Sequence, residues 1–332
     1  MIHPALPKTQ GLYDPRNEHD ACGVGFIANI DGTKTHSIVE QGLRILTNLT
    51  HRGATGADAL MGDGSGILVQ IPDGFLRTEG SKLGITLPQT GRYGVAMLFL
   101  PRNAESRSQC EQVITDFVFE EGQTVLGWRD VPVNNSRLGV GVRACEPVIR
   151  QLFVGRGAGC KDQDTFERKL FILHKRIQHA IRNLGLADGK MFYVASMSSR
   201  TIVYKGMLLA SQVGDYYLDL QDPTLTSGLA LVHQRFSTNT FPSWELAHPF
   251  RMIAHFGRHQ HHAVVGNEIA RRAQAIAIER GTDLASIGES HGGGTVPRLL
   301  QRRVIFVKRA AAFVHERIVG PGFRDQHHHG VG

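Results

Sequence analysis

The sequence predicts an α+β fold, and three features of the chain carry that expectation. Apolar runs of strand length recur between residues 23 and 235, several of them nearly continuous. Among them lie helical stretches whose apolar residues fall on one face. The helices follow pairs of strands and do not separate each strand from the next, so sheets packed under helices are expected in place of a wound parallel sheet.

In chain order, residues 23–30 form a short apolar run closed by Asp31-Gly32, which predicts a strand and a turn. Ile38, Val39, Leu43, Leu46 and Leu49 recur at helical spacing and predict an amphipathic helix through Asn48. Thr50 to Asp58 is a loop dense in glycine and small residues, and Gly62-Asp63-Gly64-Ser65-Gly66 leads into a strand over 67–71. The run 93–100 is apolar throughout and predicts a central strand. A helix over 105–120 and strands over 124–129 and 147–154 follow. Phe166, Leu170, Leu173, Ile177, Ile181 and Leu184 line one face of a helix over 164–184. Strands over 192–196, 201–205 and 229–235 complete the pattern, and no internal repeat is present.

The chain has 332 residues, enough for one large domain or two ordinary ones, with the 41% apolar and 20% charged content of a soluble globular protein. No run is long enough to cross a membrane, and the first twenty residues are polar and turn-rich, a leader or arm without a secretory signal core. The four cysteines, Cys22, Cys110, Cys145 and Cys160, form no CxxC pair. They predict no metal site and no disulfide framework, and fit a cytoplasmic protein. The net charge of +7 is uneven: from His255 onward eleven Lys and Arg face six Asp and Glu, which leaves +2 for the rest. A nucleic-acid partner is therefore not expected from charge alone.

Chemistry concentrates in Asp20-Ala21-Cys22-Gly23-Val24-Gly25-Phe26. Glycine beside the thiol lets backbone or ligand approach closely. Cys22 reads either as a buried, inert cysteine or as a nucleophile that becomes the first residue of the mature chain. No histidine follows it closely, but an N-terminal cysteine carries its own base, an α-amino group that titrates near ~8. A second stretch, Val232-His233-Gln234-Arg235-Phe236-Ser237-Thr238-Asn239-Thr240-Phe241-Pro242-Ser243-Trp244, sets an arginine at a strand end before small hydroxylated residues and two aromatics. Its planar fork would grip the carboxylate of an amino acid, and the alternative is an ordinary surface arginine. A third stretch runs from His248 to His255.

Taken together, Cys22-Gly23-Val24-Gly25-Phe26, His51-Arg52-Gly53-Ala54-Thr55-Gly56-Ala57-Asp58, Gly62-Asp63-Gly64-Ser65-Gly66 and His233-Gln234-Arg235-Phe236-Ser237-Thr238-Asn239-Thr240 closely resemble the glutamate synthase family. Within it they resemble the type-2 glutamine amidotransferase region, an N-terminal nucleophile hydrolase, that opens the large chain. The resemblance runs to about His255 and implies a four-layer αββα sandwich, incomplete at its C-terminal side. It implies a propeptide over 1–21, a partial amidotransferase domain over 22–255 and a non-family, poorly ordered tail over 256–332. It also implies roles. Cys22 would be the nucleophile freed after Ala21 and would form a glutamyl thioester from L-glutamine, releasing ammonia. Arg52 would support the loop around it. Arg235 would bind the α-carboxylate, with Ser237 and Thr238 shaping the pocket. No cofactor is expected in this chain. In the full-length family enzyme, FMN and an iron–sulfur cluster serve a synthase region that acts on 2-oxoglutarate, with a small electron-donating subunit as partner.

The chain leaves the family pattern after Ala254-His255. The family continues Asn-Gly, whose groups build the oxyanion hole, whereas Phe256-Gly257 stands here. Gly257 keeps an active-site supporting position, but Phe256 brings no side-chain donor, and one missing oxyanion donor costs ~10²–10³ in rate. Read one base later, codons for the segment after Gly257 can spell Gly-Asp-Ile-Asn-Thr-Met-Arg, close to the family continuation, so a frameshift near codon 257 is expected. Against that background the G-x-S-x-G match at Gly288 to Gly292 is discounted because Gly293-Gly294-Thr295-Val296-Pro297 follows where a helix is needed. The run His327-His328-His329 is discounted as a metal site. The expected function is the glutaminase part of glutamate synthase, with this particular chain weak or inactive. The alternative is a silent truncated fragment of that enzyme, and a basic binding protein, resting on tail charge alone, ranks below both.

Overall fold

A computed structural model describes residues 23–53, 55, 58–235 and 241–250. Cys22, Ser237, Thr238 and Gly257 lie outside the described residues, as do the expected propeptide and tail.

The elements are β1 (Val24–Ala28), α1 (His36–Asn48), β2 (Ser65–Gln70), α2 (Asp73–Lys82), β3 (Tyr93–Leu100), α3 (Ala104–Glu120), β4 (Thr124–Asp130), α4 (Val140–Ala144), β5 (Val148–Gly155), α5 (Gln163–Arg182), β6 (Tyr193–Ser198), β7 (Thr201–Gly206), α6 (Val213–Tyr216) and β8 (Leu229–Gln234). They build two four-stranded sheets, ordered β1-β8-β2-β7 and β4-β5-β3-β6. Every pairing is antiparallel. The α+β expectation is met.

β3 is internal to its sheet and buried along its whole length. Its alternate residues serve two cores, which is why it reads as one unbroken apolar run. Ala96, Leu98 and Leu100 pack with the inward faces of α3 and α5. Val95, Met97 and Phe99 face the larger core, shared with α1, α2, one side of the first sheet and residues 207–225. Leu68, Val203 and Leu231, on the opposite side of the first sheet, form a smaller cluster edged by Val24, Phe26 and Leu229.

Two helices start on side-chain caps. The Asn103 side chain accepts from the Ser106 amide at 2.8 Å and that of Asp162 from the Thr165 amide at 2.7 Å, which satisfies donors the first turn leaves open. α5 buries Phe166, Leu170, Leu173, Ile177 and Ile181 as its periodicity predicts. Leu184 differs: the helix stops at Arg182 and Leu184 is exposed just beyond it. The spacing alone missed α2, because it carries Gly74 and Gly80 and buries only Phe75 and Leu76 besides Gly80, too few apolar residues to show a period.

One polar knot sits inside the larger core. The guanidinium of Arg129 on β4 donates twice to Asp219 at 2.8 Å, and to Gln151 and Glu79 at 3.1 Å. Tyr204 donates its hydroxyl to the same Asp219 at 3.2 Å. Pairing of this kind is what permits ionised groups to stay buried.

Candidate active site

The site is organised by the register of the first sheet. β1 and β8 pair so that Val24 lies opposite His233, and the amide of Gln234 donates to the oxygen of Gly23 at 2.7 Å. On the other side of β8, Ser65 of β2 lies opposite Gln234, and the amide of Arg235 donates to Gly64 at 2.8 Å. The same end of the sheet therefore receives Gly23, the residue directly after Cys22, the Gly62 to Gly66 loop, and Arg235.

Glycine is required at two of these points. A Cβ on Gly23 would come within 2.1 Å of the Gln234 oxygen, a backbone atom that cannot yield. Gly64 adopts φ of 121°, in the left-handed half of the map that favours glycine, and a Cβ there would meet that of Ala247 at 2.9 Å. The loop is thereby closed down onto the segment at 241–250.

Arg52 ends a short 3-10 turn, Thr50–Arg52, that follows α1. Its Cβ lies 3.8 Å from where a Cβ on Gly23 would stand, so the turn flanks the start of β1. Arg235 is buried, contrary to the ordinary surface alternative, and its Nη1 donates to the main-chain oxygen of Asp63 at 3.1 Å and to its Oδ1 at 3.2 Å. Gln234 is buried alongside, its side chain filling the space above Gly53, where a Cβ would stand 2.1 Å from Nε2.

Sequence reasoning missed one buried side chain near this end of the sheet. Lys205, fully buried on β7, donates to the oxygens of Glu245 at 2.9 Å and Ala247 at 2.7 Å. Its ammonium also lies over the rings of Tyr193 at 4.6 Å and Phe250 at 4.4 Å. His248 of the held segment stacks on His233 with ring centroids 4.5 Å apart. Burial pushes the Lys205 ammonium well below its usual range. Lys205 shares with Val203 the face of β7 that points away from the larger core, and the sequence carried no signal that the segment at 241–250 would cover it there.

Residues 22–286 match the family model of the class-II glutamine amidotransferases. The chain belongs to this family.

The match of this amidotransferase chain begins at Cys22 and extends past His255. It is 47% identical over 290 residues to the glutamate synthase (NADPH) large chain of Bacillus subtilis, across 86% of the chain and 19% of that protein. It is 42% identical to the corresponding large chain of Azospirillum brasilense, across 82% of the chain and 18% of that protein. The ferredoxin-dependent glutamate synthase 2 of Synechocystis is also 42% identical, across 72% of the chain and 15% of that protein. The chain thus spans about a fifth or less of the relatives it matches. Two antiparallel sheets with helices agree with the N-terminal nucleophile hydrolase fold of class-II amidotransferases. The family's domain is catalytic, hydrolyses glutamine and itself needs no cofactor. Among the described residues no helix is long and apolar enough to cross a membrane, and no group of three or more His, Cys, Asp or Glu could hold a metal ion.

Proposed function

We propose that this chain hydrolyses L-glutamine to glutamate and ammonia, with Cys22 as the nucleophile and Arg235 as the anchor for the α-carboxylate. The supporting observation is the strand register that sets Gly23, the residue after Cys22, on one side of Gln234 and the Gly62 to Gly66 loop on the other, with the buried Arg235 next in the chain and bonded to that loop. Release of the chain before Cys22 frees its α-amino group to take the thiol proton. The thiolate attacks the side-chain amide carbon, the amine leaves as ammonia with that proton, and water then hydrolyses the thioester to glutamate. Arg52 holds the turn beside the nucleophile, and Ser237 and Thr238 shape the pocket beyond Arg235.

In a longer protein this ammonia would pass to a synthase region that aminates 2-oxoglutarate, and FMN, an iron–sulfur cluster and a reductant subunit or ferredoxin belong to that region. No step described for this chain runs through them.

The test has two readings. Intact mass and N-terminal sequencing of purified protein should show a chain beginning at Cys22. Ammonia release from L-glutamine should disappear in Cys22→Ser. Wild-type activity no greater than that of Cys22→Ser would instead establish a silent fragment, which is the reading that Phe256 favours. Sequencing the DNA across codons 250–332 tests whether a frameshift underlies that silence. A codon choice that cannot spell the family continuation removes the frameshift.

A further inference from the structure

We propose that Asp63 is a positioning residue that orients the Arg235 guanidinium and so makes the site discriminate for an α-carboxylate. This rests on the glutaminase reading and deepens it.

Asp63 and Arg235 are 172 residues apart in the chain, yet both are buried at the same end of the first sheet. Asp63 holds Nη1 through two oxygens, one from the main chain and one from the side chain. The main chain is fixed as well, since the Arg235 amide donates to Gly64, the residue after Asp63. Gly64 in turn is closed against Ala247, in the segment that Lys205 holds. The loop therefore sets where the arginine begins and how its fork is turned.

Orientation matters because guanidinium–carboxylate recognition is planar and two-pronged. A fork rotated out of plane keeps its charge but loses one of its two bonds. The Asp63 carboxylate also balances the buried Arg235 cation before substrate arrives, which limits the cost of keeping it dry. Its negative charge beside the fork opposes any second carboxylate that approaches on the wrong side. The site thus selects a carboxylate presented in one geometry.

The experiment measures binding in place of turnover. In the Cys22→Ser protein, isothermal titration calorimetry compares L-glutamine with L-glutaminamide, which lacks the α-carboxylate. With Asp63 present, glutamine should bind more tightly than glutaminamide by about tenfold or more. Adding Asp63→Asn, which preserves shape and an acceptor oxygen, should weaken glutamine by about tenfold and leave glutaminamide within about twofold. Asp63→Ala should erase the preference altogether. Parallel weakening of both ligands, or an unchanged ratio, overturns the role of Asp63 while leaving the glutaminase reading intact. If Cys22→Ser binds neither ligand, the glutaminase reading fails and this inference falls with it.

Discussion

The ammonium of Lys205 lies 2.7 Å from the main-chain oxygen of Ala247, joining β7 to a segment 42 residues further along. A second bond to the oxygen of Glu245 and two aromatic faces complete its surroundings. Replacing it with methionine keeps most of the volume and leaves two buried oxygens without that donor, at about 1–3 kcal/mol each before the relief of a buried charge is counted. Lys205→Met should therefore unfold at lower urea concentration near neutral pH. Burial, with the Arg235 charge acting alongside it and Glu245 against it, depresses the folded-state value well below the ordinary 10.5. Between the depressed value and 10.5 the unfolded chain binds the extra proton, so this group makes the wild type more stable as pH rises. The stability advantage of wild type over Lys205→Met should thus grow through that window. An advantage that stays flat or shrinks would count against a buried, depressed Lys205.

Gly23→Ala tests the close approach at the start of β1. The added Cβ would stand 2.1 Å from the Gln234 oxygen and must push the two strands apart. We expect a loss of about 1–3 kcal/mol in chemical denaturation and a sharp fall in ammonia release. Substitution at Gly84, where nothing lies within 4 Å but φ is 70°, provides a control that is strained yet remote from the site. Equal loss of specific activity in the two folded variants would refute the assignment of this strand end to the site.

Arg129 and Asp219 should behave as a unit. Arg129→Met leaves Asp219 buried without its cation, a change that costs about 3–5 kcal/mol. Adding Asp219→Asn should recover a substantial part of it, because the stranded charge is gone. Additive losses in this cycle would show that the two residues do not interact in solution.

Cysteine labelling provides an independent map. Burial, assisted by the Glu111 charge, pushes the Cys110 thiol up to about 11. At about pH 8 iodoacetamide should alkylate native Cys110 on the order of 10² times more slowly than the unfolded chain, with Cys145 labelled ahead of it. Rapid labelling of native Cys110 would contradict its place on the buried face of α3. In the same experiment L-glutamine should protect Cys22 and leave Cys145 unaffected.

Much of the fold was legible because burial is periodic. β3 has the bounds that its apolar run predicts, and the one-sided helices α1, α3 and α5 differ from expectation by a few residues at their ends. The failures have physical causes. Leu184 fits the helical spacing but falls after the chain has turned away, and α2 is held by its contacts more than by its own composition. In the site, Arg235 could be singled out from its place at a strand end before small hydroxylated residues, whereas Arg52 followed only from the family resemblance.

By itself the sequence determined the strands and the long one-sided helices, the α+β class, the family and the residue types available for attack on an amide. Only the tertiary structure decided that Asp63 takes hold of Arg235, that Gln234 lies between Gly23 and the Gly62 to Gly66 loop, and that Lys205 holds the main chain at Glu245 and Ala247. The reason is distance along the chain. Periodicity reports which side of an element is dry, whereas these contacts join residues tens to hundreds of positions apart, and their geometry exists only once the strands have paired.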